Sequence, residues 1–161
     1  MGWKAIDLLG AQIETVDSAA VFNLGQTCKA RNTANGYIGE FVYMQGVASA
    51  AAASWVLLNY DNSTVSLLVD ADAGGVGLSM GAIIASTFGW FQIRGKGSGI
   101  LLASCADNAE LFTTATAGSL DDTKTGQFQV YGARAASAPG SSAAAAEVEI
   151  HYPVVAGPDA A

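Results

Sequence analysis

The residues best equipped for chemistry in this chain are few and scattered. The stretch GWFQIRGKGSG, residues 89–99, sets four glycines beside two cations and invites a phosphate-binding reading. The spacing refuses it. A P-loop needs G-x-x-x-x-G-K-[ST], but Gly97 follows Lys96, and the upstream glycine position holds Trp90. A dinucleotide fingerprint fails as well, because no glycine stands three residues after Gly99. The acidic run DADAGG, residues 70–75, suggests a calcium loop, yet Gly74 occupies its fifth position and Gly81 its twelfth, where carboxylates are required. Asp121 and Asp122 could add oxygen ligands only if the fold brought them there. Zinc is disfavoured by two separated cysteines and a single histidine. A Cys105–His151 nucleophile pair would need an activated thiol, and nothing in the sequence supplies one. The expectation is a chain that is not an enzyme, with no catalytic residue, no cofactor and no metal site. Function must then lie in surfaces.

Composition narrows which surfaces. The chain has 161 residues, with 7 Lys and Arg against 14 Asp and Glu, so its formal net charge is −7. Such a balance repels nucleic acid, and no nucleic-acid partner is expected. Charged residues make up 13%, about half the usual share for a globular domain. A weakly charged surface rich in small residues suits a protein whose faces are covered by neighbours. Cys28 and Cys105 read as two buried thiols rather than a disulfide framework. In the opening run MGWKAIDLLGAQIETVD, Asp7 interrupts the apolar content too early for a signal peptide. Residues 41–60 and 73–93 carry no charge and are long enough to span a bilayer, but they are broken by Gln, Ser and Gly and flanked by acids. No membrane partner is expected.

The elements that must position these residues are strands. Val65, Leu67 and Val69 alternate with Thr64, Ser66 and Leu68, and Val148, Ile150 and Tyr152 with Glu147, Glu149 and His151. The segment GEFVYMQG, residues 39–46, is apolar on both faces, as in a central strand or one covered by a partner. The cluster NYDNST, residues 59–64, predicts a hairpin between 55–60 and 64–69. The glycines of GKGSG predict a tight turn between strands 89–94 and 100–103. Further strands are expected at 110–114 and 127–133. A short echo between GEFVYMQG and GWFQIRG reads as shared strand-and-turn vocabulary. The expected fold is mainly β, a single-domain sandwich or barrel of jelly-roll-like kind. Residues 1–30 are expected as an N-terminal arm, in which Ile6, Leu9, Ile13 and Val16 keep helical spacing. Residues 31–152 form the β domain, with an Ala/Ser-rich loop at 133–146, and 153–161 an extended tail. Trp3, Phe41, Tyr43, Trp55 and Trp90 are the candidate interface residues.

The segment GWFQIRGKGSGILLASCADNAELFTTATAGSLDD resembles a block found in the head decoration, or capsid cement, proteins of tailed bacteriophages. GEFVYMQGVASAAAASWVLL is similar to the strand and alanine-rich turn that precede it, so the resemblance spans residues 36–125. The resemblance implies a structural virion protein on the outer capsid surface, made in the host cytoplasm. It implies a homotrimer whose partner is the major capsid protein, clamping neighbouring capsid subunits against internal DNA pressure. No catalytic residue carries over. The competing expectation is a host- or carbohydrate-binding head or tail fibre module.

Overall fold

A computed structural model describes residues 2–125 and 127–157. Among these residues there is no helix, and no helix is long and apolar enough to cross a membrane. The described residues form one all-β domain of eleven strands in a single mixed sheet. They are β1 (Trp3–Ala5), β2 (Thr27–Asn32), β3 (Ile38–Gly46), β4 (Trp55–Asn59), β5 (Thr64–Leu67), β6 (Gly74–Ser79), β7 (Phe88–Leu101), β8 (Glu110–Thr113), β9 (Leu120–Asp121), β10 (Gln129–Ala135) and β11 (Ala144–Val155).

The sheet closes into two large rings, and β6 also pairs with β11, Val154 opposite Gly75, joining them directly. In one ring, β3 pairs with β5, β5 with β4, β4 with β6, β6 with β7, and β7 with β3. In the other, β7 pairs with β11, β11 with β10, β10 with β8, β8 with β9, and β9 with β7. Closure makes this architecture a barrel rather than a sandwich of two open sheets, since ring pairing removes the edges an open sheet would leave. The two barrels share β7. Its first half, Phe88–Arg94, pairs with β3, and its second half, Arg94–Leu101, with β11.

Each ring encloses a core. Val42, Met44, Val56, Leu58, Val65, Phe91 and Ile93 fill the first, where Ala50 and Ile83 also pack. Leu78, Leu101, Leu111, Leu120, Val130, Val148 and Ile150 belong to the second, with Trp55 among them. A third cluster lies on the other side of β3, where Phe41 and Tyr43 meet Trp90, Ile13, Trp3 and Phe22. This cluster explains why β3 is apolar on both faces. One face lines the first barrel; the other is covered by the chain's own N-terminal segment. No second molecule is needed to cover that strand.

That segment is laid down as an irregular strap, not a helix. β1 pairs with β2, with Trp3 opposite Asn32, Asp17 bridges to Phe88, and Ile13 is 1% exposed. The helical spacing of Ile6, Leu9, Ile13 and Val16 has no helical counterpart, because only Ile13 of the four is fully buried while Leu9 is 99% exposed. The C-terminal strand β11 runs on through Val155, so residues 153–155 are strand; residues 158–161 of the expected tail lie outside the described residues. The Ala/Ser-rich loop shrinks to residues 136–143, since Ala135 ends β10 and Ala144 begins β11. Ala135 and Ala146 are core residues of the second barrel.

The largest correction concerns GKGSG. It is not a turn: β7 passes straight through it. Gly95 has φ +106°, and a Cβ there would stand 2.9 Å from the Ile38 carbonyl oxygen, so only glycine fits where the strand leaves one barrel for the other. Gly97 and Gly99 serve a steric purpose. A side chain at Gly97 would collide with the Gln92 amide, and a Cβ at Gly99 would stand 2.7 Å from the Trp55 indole ring. The Gln92 Nε2 donates to the carbonyls of Arg94 at 3.1 Å and Lys96 at 3.0 Å, tying the strand together across its bend. The hairpin predicted at residues 55–69 is present as β4 and β5, with Asn59 opposite Thr64. The two echoing segments are antiparallel neighbours, β3 and β7, with Tyr43 opposite Trp90.

Candidate functional site

The five candidate interface residues do not form a surface. Phe41, Tyr43 and Trp55 are fully buried, Trp90 is 2% exposed, and Trp3 is half-buried against Phe41 with ring centroids 4.9 Å apart. Trp55 sits beneath Gly99, and its Nε1–H donates to the Ile100 carbonyl at 3.0 Å. The Tyr43 hydroxyl donates to Asp17 at 2.7 Å; burial, then that carboxylate, push the phenol up to about 12. These rings hold the fold together. Phe41, Tyr43, Trp55 and Trp90 are too deeply buried to offer a face to a partner, and Trp3 is exposed only in part.

The reactive groups also stand apart. Cys28 and Cys105 are both free and buried. Burial, then a hydrogen bond with Asp7, push the Cys28 thiol up to about 12. Burial, then Asp122 and Asp121, push the Cys105 thiol up to about 11. Both thiols are therefore protonated and unreactive near neutrality. His151 meets the edge of the Tyr152 ring and lies in a surface groove, whereas Cys105 lies beside Asp121 and Asp122. The ligand atoms of those three residues fall within 4.8 Å of one another, but Asp122 already accepts the Ala106 N–H at 2.9 Å. In the DADAGG run, Asp72 accepts the Val69 N–H at 2.8 Å and so closes a turn.

What the fold does build is a groove of about 930 Å³ across β2, β7, β10 and β11. Its polar lining follows from register. On one cross-strand row Lys29 stands opposite Glu40, Glu40 opposite Arg94, and Arg94 opposite His151. On the next, Lys96 stands opposite Glu149, Glu149 opposite Arg134, and Arg134 opposite Glu110. Opposite charges on neighbouring strands support one another modestly. The Arg94 guanidinium lies 3.4 Å from Glu40 and Lys29 lies 3.9 Å from it. Lys96 donates to Glu147 at 2.7 Å, which raises its pKa, and sits 5.0 Å from the centre of the Tyr37 ring. Arg134 has no ion-pair partner among the described residues.

A double irregularity shapes the groove wall. The registers of β10 with β8 and with β11 both slip around Gly132, whose φ is +78°. A Cβ at Gly132 would meet the His151 carbonyl at 2.6 Å. Across from it Tyr152 takes φ +47°, a region that aromatic residues rarely adopt. The twist sends the Tyr152 hydroxyl to the Glu40 carboxylate, which raises the phenol's pKa. Tyr37 and Tyr131 flank the groove, each about half exposed.

No protein-family model matches the chain, and no curated protein matches its sequence.

The groove residues Tyr37, Arg94, Tyr131, Arg134 and His151 escaped sequence reasoning as a site. One signal was available. Lys29 and Arg31, then Arg94 and Lys96, stand two apart within strands, so each pair of cations shares a face of its strand in an otherwise acidic chain. That those strands are neighbours is a matter of topology.

Proposed function

We propose that this chain is a structural virion protein that binds the outer surface of a tailed-bacteriophage capsid and stabilises it by bridging major capsid subunits, as a homotrimer. The observation that carries the reading is the strap. Trp3, Ile13 and Phe22 anchor it to the barrel, while Ile6, Leu9 and Val21 point outward with 51%, 99% and 64% exposure. Apolar side chains held outward on an anchored segment gain free energy only when a partner covers them. The resemblance over residues 36–125 supplies the class of partner, and the inert thiols and lone histidine fit a role in binding rather than catalysis.

A ligand that binds only the assembled shell stabilises that state by mass action, and many symmetric copies multiply a modest contact. The test compares particles with and without the protein under heat or chelator, reading DNA release. Decorated particles should rupture later. If bare particles rupture no earlier, the proposal is wrong.

A further inference from the structure

We propose that the groove between β7 and β10 is a binding site for an acidic oligosaccharide, hydroxyl-rich and sparsely charged. Three observations converge on that class. Four of the chain's seven cations line the groove, namely Lys29, Arg94, Lys96 and Arg134, but only two of its fourteen carboxylates, Glu110 and Glu149. On a molecule of net charge −7 this groove gathers most of the cations; Lys29 and Arg94 share Glu40 and Lys96 pairs with Glu147, while Arg134 has no ion pair among the described residues. The cations remain accessible despite their partners, with side-chain exposures of 54% for Lys29, 48% for Arg94 and 31% for Lys96.

The alternation of sign selects among anions. Glu149 and Glu110 flank Arg134 on neighbouring strands, about 4.8 Å away in the pairing direction. A polyanion or an acidic peptide would meet these carboxylates and be repelled. A sugar hydroxyl donates to a carboxylate and accepts from a guanidinium, so it satisfies both. A carboxylate borne on such a sugar is received by Arg134, which has no ion pair among the described residues. The half-exposed ring of Tyr131 offers a flat apolar face for a pyranose ring, and Tyr37, one face of which carries the Lys96 ammonium, flanks it. Ile6 of the strap also lines the groove, whereas Leu9 and Val21 do not, so variants at Leu9 and Val21 test the capsid reading without touching this site.

The test is an immobilised array of uronate- and sialate-bearing oligosaccharides with their neutral counterparts, probed with the full chain. Titration calorimetry then follows with sialyllactose, lactose and oligoglutamate. Acidic glycans should be retained, lactose should bind more weakly than sialyllactose, and Arg134→Gln and Tyr131→Ser should each weaken binding about tenfold without lowering the unfolding temperature. Lys124→Gln, outside the groove, should change nothing. Retention of no acidic glycan overturns the proposal, as does equal binding of neutral counterparts. Indifference to Arg134→Gln and Tyr131→Ser overturns the groove assignment. Oligoglutamate binding as tightly as sialyllactose would make the groove an acidic-peptide site instead.

Discussion

Trp55 and Gly99 interlock, and neither residue type is readable as such without the other. The indole fills the space that a side chain at residue 99 would take. Gly99→Ala should therefore destabilise the chain by about 1–3 kcal/mol through overpacking, read as a lowered denaturant midpoint. Trp55→Ala removes a fully buried ring and should cost about 3–5 kcal/mol. An interface role for Trp55 would have left the isolated chain's stability unchanged, so the same measurement separates the two readings. Lys96→Ala removes an exposed pair with Glu147 and the cation over the Tyr37 ring, and should leave the denaturant midpoint nearly unchanged. The thiols set an alkaline limit. Cys28 rises from 9.0 to about 12 in the fold, so between those values the unfolded chain has lost a proton that the folded chain keeps. Stability is then full below about pH 9 and falls as pH climbs toward 12. Urea midpoints measured from pH 8 upward should decline, and Cys28→Ala should flatten that decline.

Among the elements, β7 and the strap depart furthest from what local pattern suggests. Glycine-rich segments ordinarily turn, and GKGSG satisfies every local criterion for one. It stays extended because β11 pairs with it continuously, from Arg94 to Leu101, and because Gln92 and Trp55 occupy the room its missing side chains leave. The strap looks dispensable from its irregular backbone, yet Ile13, Trp3 and Phe22 cover Phe41, Tyr43 and Trp90. Deleting residues 1–25 should expose that cluster and yield a dye-binding, aggregation-prone chain, measured by ANS fluorescence and light scattering. Such a deletion cannot report on capsid attachment. Leu9→Asp with Val21→Asp can, because both side chains are exposed. That variant should keep the wild-type unfolding temperature and be lost from capsids; full retention would mean that the strap is not the attachment surface.

For the molecule as a whole, the shared strand makes two barrels one cooperative unit. A break in β7 opens both rings, so unfolding should be a single transition in which tryptophan fluorescence and far-UV circular dichroism coincide. Two separated transitions would mean that the barrels melt independently. The proposed trimer would have to use surfaces other than β3, whose second face the strap already covers. Light scattering across a concentration series, free and on capsids, tests the trimer proposed above; a strict monomer in both settings would remove it.

Alternation in 64–69, 89–94 and 147–152 was enough to place three strands, because side chains on a strand address opposite faces in turn. The hairpin at 55–69 followed from its turn residues. These are short-range properties, carried by residues within a few positions of one another. Ring closure, the strap's cover and the groove depend on pairings between residues far apart, such as Glu40 with Arg94 and Lys96 with Glu149. The two-sided apolar character of residues 39–46 announced a covered strand but not what covers it. Burial energy is non-directional, so a hydrophobic face records that it must be covered and leaves the identity of the cover to the path of the whole chain.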